Sequence, residues 1–118
     1  MNIEEIRTYC LSKKGTDEGF PFDETTLVIK VGGKIFILLN LSGSPSMNLK
    51  CEPLWAIDLR ETYPAIIPGY HMNKKHWNTV ILDSSISVRL LKKMIDHSYD
   101  LVLTSLPVKQ QFQINQNN

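Results

Sequence analysis

With 118 residues, of which 42% are hydrophobic and 21% charged, the chain has the size and composition of one globular domain. That length can bury most of the unfolded surface without disulfides or metal. A net charge of +1 and a pI of about 7.8 exclude a protein that is basic throughout. Domains with a large footprint on nucleic acid have pI values above about 9, so any such contact has to come from a local patch.

The acidic start, Met1 to Glu5, is unlike a signal peptide. Asn2 and Glu5 have the spacing of a capping box, and Ile3, Ile6 and Cys10 share a helical stripe. The first helix is expected over residues 2–14, stopped by Gly15. Thr16 to Glu24 is acidic and reads as a loop, with Phe20-Pro21-Phe22 tacking it onto the core in preference to the alternative of an exposed aromatic clamp. Thr25 to Val31 and Lys34 to Leu41 are rich in β-branched and apolar residues and read as strands. Gly32-Gly33 between them is a two-residue hairpin signal. The longest apolar run, Ile35 to Leu39, is too short to cross a bilayer. Ser46 to Cys51 alternates cleanly and gives a third strand.

Pro53 suits the first position of a second helix over Leu54 to Thr62, which Pro64 ends. Functional side chains then crowd between Tyr63 and Thr79. A fourth strand is expected near Tyr70–Met72, a turn through Asn73-Lys74-Lys75, and a fifth strand from His76 to Leu82. The stripe Leu91, Ile95, Ser98, Val102 predicts a long helix over 86–104. From residue 108 the chain is dominated by Gln and Asn and is expected to be a flexible tail. One domain is therefore expected over 1–107.

The order is α-β-β-β-α-β-β-α, an α+β fold in two layers with a five-stranded antiparallel sheet and helices packed on one face. Strict alternation places Leu27, Ile29, Val31, Ile35, Ile37, Leu39, Met47 and Leu49 toward the helices. It places Val28, Lys30, Phe36, Leu38, Asn48 and Lys50 on the opposite face. That second face is half apolar, with lysines at its edge, which suits either a partner surface or a face covered by loops or the tail.

No nucleophile motif, phosphate loop or dinucleotide fingerprint is present, so a non-enzymatic protein without cofactor is expected. Cys10 and Cys51 make neither a C-x-x-C pair nor a zinc spacing; they read as buried thiols in a reducing cytoplasm. His71 and His76 have a zinc-like interval, but nothing supplies further ligands and Lys74 and Lys75 repel a cation. His97 reads as a satisfied histidine at the core edge. In Asn73-Lys74-Lys75-His76-Trp77-Asn78, lysines can neutralise phosphates, asparagines can bond phosphate or base edges, and Tyr70 and Trp77 can stack on bases. The competing reading is a solvated basic turn with Trp77 as a packing residue.

These residues carry a resemblance. Phe20-Pro21-Phe22, the run from Leu27 to Phe36, Asn48 to Cys51, Tyr63-Pro64, Ile67 to Val80 and Asp96 to Val102 resemble the MmcQ/YjbR-like family of small bacterial proteins. The resemblance implies the same α-β-β-β-α-β-β-α order. It also implies a likeness to CyaY-like and secretion-chaperone-like folds and to a phage activator's double-wing DNA-binding domain, and through that likeness DNA as a partner. On this reading Lys30, Lys50, Tyr70, Asn73, Lys74, Lys75, His76, Trp77 and Asn78 form the nucleic-acid surface. Two alternatives stand beside it. One is a homodimer or protein-partner surface through Phe36 and Leu38. The other is a small-molecule pocket around Tyr70, His71, His76 and Trp77.

Overall fold

A computed structural model of the chain describes residues 1–69 and 72–116. Helix α1 (Ile3–Leu11) opens on the expected capping box: Glu5 N–H donates to Asn2 Oδ1 at 2.8 Å, and Asn2 N–H donates to Glu5 Oε1 at 3.1 Å. Strands β1 (Thr16–Gly19), β2 (Thr26–Val31), β3 (Lys34–Asn40) and β4 (Ser46–Lys50) follow, then helix α2 (Pro53–Thr62), strands β5 (Ile66–Pro68) and β6 (Trp77–Ile81), and helices α3 (Val88–Thr104) and α4 (Val108–Gln116). The sheet is antiparallel throughout, in the order β1-β2-β3-β4-β6-β5. The expected α+β architecture with helices on one face holds, but the sheet has six strands and not five.

The additional strand is β1, expected as loop. Its Thr-Asp-Glu-Gly sequence looks turn-like, yet an edge strand accepts charge that a central strand cannot. Glu18 faces the helices and holds Arg7 of α1 at 2.6 Å, while Asp17 lies opposite Lys30. The strand before β6 also sits earlier than expected near Tyr70–Met72: Met72 lies in a bend, and the pairing residues are Ile66, Ile67 and Pro68. Gly69 ends that strand because the chain passes too close to Trp77 for a side chain. A Cβ there would lie 2.9 Å from Trp77 Cβ.

The core between sheet and helices is built from Ile6, Leu27, Ile29, Val31, Leu39, Met47, Leu49, Val80 and the α3 stripe of Leu91, Met94, Ile95 and Val102. Cys10 and Cys51 are buried free thiols; burial pushes them up to about 12 and about 11 respectively, out of reach of thiolate chemistry.

Strict alternation fails in β3. Ile29 pairs with Ile37 but Lys30 pairs with Ile35, so Phe36 is a bulge residue. Both Phe36 and Ile37 therefore face the helices, and Ile35 turns to the other side beside Val28, Leu38 and Trp77. Phe36 is fully buried and meets Tyr99 edge-on, with ring centroids 5.4 Å apart. It cannot anchor a partner surface; the expected sides of Ile35 and Phe36 are exchanged.

The Gln/Asn-rich end is helical and not an open tail. Ile114 is buried over Gly15 and Gly32, Gln110 Nε2 donates to Gly32 O at 3.0 Å, and Gln111 Nε2 donates to Leu106 O at 2.7 Å. One apolar side chain and two amides that reach backbone carbonyls order a segment whose composition alone would not.

His97 is satisfied at the core edge. Glu52 N–H donates to its Nε2 at 3.1 Å, its ring meets Trp55 edge-on at 4.7 Å, and burial lowers its pKa below the ordinary 6.5. The unfolded chain therefore binds the proton first as pH falls. The contribution to stability is complete above about 6.5 and is lost as pH drops through the lower folded value. His97→Phe keeps the aromatic contact and removes the titration. Urea midpoints measured from pH 7.5 to 5 should decline less in this variant than in the parent; parallel declines would contradict the assignment.

Candidate nucleic-acid interface

The sheet face away from the main core is set by register. Across one end of it, β1 presents Asp17, β2 Lys30, β3 Ile35, β4 Lys50 and β6 Trp77. The turn at 73–76 is fastened to this same end: Cys51 N–H donates to His76 O at 2.7 Å, directly after Lys50. Lys30 and Lys50 thus share one end of this face, and the turn that carries Lys74 and Lys75 lies at the same end of the sheet. Elsewhere, Arg7 and Lys13 are paired with Glu18 and Asp96.

The turn is shaped by two of the residues expected to read bases. Asn73 Oδ1 accepts from Lys75 N–H at 2.8 Å, an Asx turn, and Asn73 O accepts from His76 N–H at 3.1 Å. Asn78 lies on the helix side of β6, 2% exposed. It donates through Nδ2 to Ala56 O at 3.3 Å and accepts from Arg60 Nη1 at 2.8 Å. It therefore cannot reach a ligand on Lys50's face; its neighbours Trp77 and Thr79 point there and it does not. Arg60, which sequence reading passed over, also donates to Lys74 O at 3.3 Å, so one guanidinium joins α2, β6 and the basic turn.

Trp77 is only 7% exposed and packs with Val28, Leu38, Ile35 and Met72. It is the anchor of a second small cluster, not an open stacking platform. Leu38, at 5% exposed, belongs to that cluster as well. The expected Tyr70 and His71 positions lie outside the described residues. Phe20 and Phe22, expected in the core, are 50% and 65% exposed; the proline between them and the short edge strand before them keep this loop outside the main packing.

The far end of the same face is a cleft of about 700 Å³. Phe22, Leu38, Ile67, Met72 and Ile81 give it apolar walls, and Ser46, Asn48 and Thr79 form a polar floor. A volume in this range suits a small organic group. The sequence did signal this floor: Ser46 and Asn48 are the outward residues of an alternating strand. What it could not show is that Thr79 lies directly opposite Asn48. No helix is long and apolar enough to cross a membrane among the described residues.

The YjbR family model matches residues 11–101. The chain is 44% identical over 93 residues to the uncharacterized protein YbdF of Escherichia coli O157:H7, covering 78% of this chain and 76% of that one. It is 32% identical over 108 residues to the uncharacterized protein YjbR of Escherichia coli K12, covering 91% and 92%. Among solved structures, Deinococcus radiodurans protein DR2400, of the domain DUF419, superposes with a TM-score of 0.91 at 32% identity, covering 98% of this chain and 89% of that chain. A Pseudomonas syringae protein superposes with a TM-score of 0.76 at 26% identity, covering 86% and 99%.

Proposed function

The chain belongs to the YjbR family, and from that premise we propose that it is a non-enzymatic, cytoplasmic nucleic-acid-binding module that grips phosphates at the basic end of its second sheet face. The observation that supports this is the convergence of Lys30, Lys50 and the 73–76 turn on one sheet end. Four lysines there supply a local patch that the near-neutral net charge conceals. The 73–76 turn serves as a wing against the backbone. Arg60 and Asn78 hold that wing to α2, so it meets phosphates without paying to order itself on binding. Regulation of nucleic-acid processes is the role such a module suits.

Lysine contacts of this kind release counterions, so affinity falls with salt. Fluorescence anisotropy with generic duplex and single-stranded DNA across a salt series should give a slope of log K against log salt of about −2 to −4. In Lys74→Ala/Lys75→Ala the slope should shrink by about 1.5 to 2, with the urea midpoint unchanged. Salt-independent binding, or a slope that the double variant leaves intact, would remove the proposed surface.

A further inference from the structure

Resting on the reading above, we infer that the cleft beside the lysines receives one unstacked, carbonyl-bearing base of a single-stranded nucleic acid. The floor carries the argument. Asn48, only 7% exposed, uses its Oδ1 to accept from Thr79 Oγ1 at 2.5 Å. Its Nδ2 has no hydrogen-bond partner among the described residues. Yet no fully enclosed side-chain polar atom among them lacks a partner. The Asn48 Nδ2 is therefore not fully enclosed, and in the cleft it lines it carries N–H donors that no described residue takes up. Ser46, also 7% exposed, leaves its hydroxyl in the same state.

The side-chain carbonyl and carboxylate acceptors of Asn40 and Asp23 beside it are engaged. Asn40 Oδ1 accepts from Ser42 N–H and Ser42 Oγ, each at 3.3 Å. The Asp23 carboxylate accepts from the N–H groups of Thr25 and Thr26 at 2.9 and 2.7 Å and from both hydroxyls. The cleft thus offers donors from its floor and asks for acceptors. No lysine or arginine lines it, and Asp23 stands at its rim, so an anion is disfavoured there. The walls of Leu38, Ile67, Met72 and Ile81 favour a flat, largely apolar body.

A neutral heterocycle with exocyclic carbonyl oxygens meets all three demands. Position selects a nucleobase among such rings. Asn48 and Lys50 are successive outward residues of β4, about 7 Å apart along the strand. A single strand whose phosphates engage Lys50 therefore brings a base within reach of Asn48. In a duplex the carbonyl edge is paired and stacked, so the cleft should discriminate in favour of single strands.

The test separates cleft from lysines. Thymidine, which has no phosphate, is titrated at millimolar concentration while the side-chain amide of Asn48 and the methyls of Met72 and Ile81 are followed by NMR. A short oligothymidylate is compared with the same strand carrying abasic sites. Saturable shifts at those three residues are expected, as is an oligothymidylate affinity at least about tenfold above the abasic strand. Asn48→Asp, which keeps the Thr79 partner and removes the donor, should abolish the base preference. Ile81→Trp should do so by filling the cleft from a partly exposed wall position, which guards against misfolding of the first variant. No shifts with thymidine, together with equal affinity for abasic and intact strands, overturns the inference. If salt-dependent binding persists in that case, the lysine surface survives alone. Thymidine shifts without salt-dependent DNA binding would support the cleft and reject the phosphate reading.

Discussion

Replacing Ser98 by alanine should cost about 2 to 4 kcal/mol of folding stability, far more than the loss of one oxygen suggests. The reason lies in the β3 bulge. The β3–β4 ladder runs from Asn40↔Ser46 to Ile37↔Leu49 and stops there. One step further the ladder would join Phe36 to Lys50, but the bulge has displaced Phe36. Ser98, fully buried on α3, stands in the gap: its hydroxyl donates to Phe36 O at 2.5 Å and accepts from Lys50 N–H at 2.9 Å. Alanine leaves a buried carbonyl and a half-buried N–H without this partner, the buried group alone worth about 1 to 3 kcal/mol. Because Lys50 stands at the basic end of the sheet, the same change should loosen that end, and amide exchange at Lys50 should quicken in step with the lost stability. A change in urea-derived stability below about 0.5 kcal/mol, the range of an ordinary surface substitution, would show that Ser98 is not the bridge.

That bridge marks the boundary of what the sequence could tell. Patterns that repeat were legible: the capping box at Asn2, the alternation of Ser46 to Lys50, the α3 stripe and the Gly32-Gly33 hairpin. Together they gave the α+β architecture and the helix-covered face. The misreadings arose where one residue answers to a distant one. Phe36 is on the wrong side of a strict alternation because a bulge costs one residue of register. Thr16 to Gly19 became a strand because β2 offered an edge. The Gln-rich end became a helix because Ile114 found Gly15 and Gly32. The candidate site divides in the same way. Lysines are recognisable by type, and Lys30, Lys50, Lys74 and Lys75 do share one end. Asn78 looked equivalent to its neighbours, but period two puts it behind the sheet, where it joins Arg60 and Ala56.

The hairpin tip beneath α4 gives the second large effect. Gly32 has φ +56°, and a Cβ there would lie 2.5 Å from Leu106 Cδ1 and 2.9 Å from Gln110 Nε2. Gly33 also has positive φ, at +84°, but nothing lies within 4 Å of the position its Cβ would take. The two positions share the backbone penalty of about 1 to 2 kcal/mol for a side chain in the left-handed region. Only Gly32 adds the strain of overpacking, about 1 to 3 kcal/mol. Gly33→Ala should therefore cost about 1 to 2 kcal/mol and Gly32→Ala about 2 to 5 kcal/mol. The larger loss follows from how the tip is held: Gly32 N–H donates to Gly15 O at 3.1 Å, and Gly32 O accepts from Gln110. A side chain at residue 32 must push aside the ends of Leu106 and Gln110, and with the latter the bond that ties α4 to the hairpin carrying Lys30. Urea denaturation of both variants decides the matter. Equal losses would mean that α4 yields freely and does not brace the hairpin. A clear excess for Gly32→Ala would show that the last helix helps to fix the lysine-bearing end of the sheet.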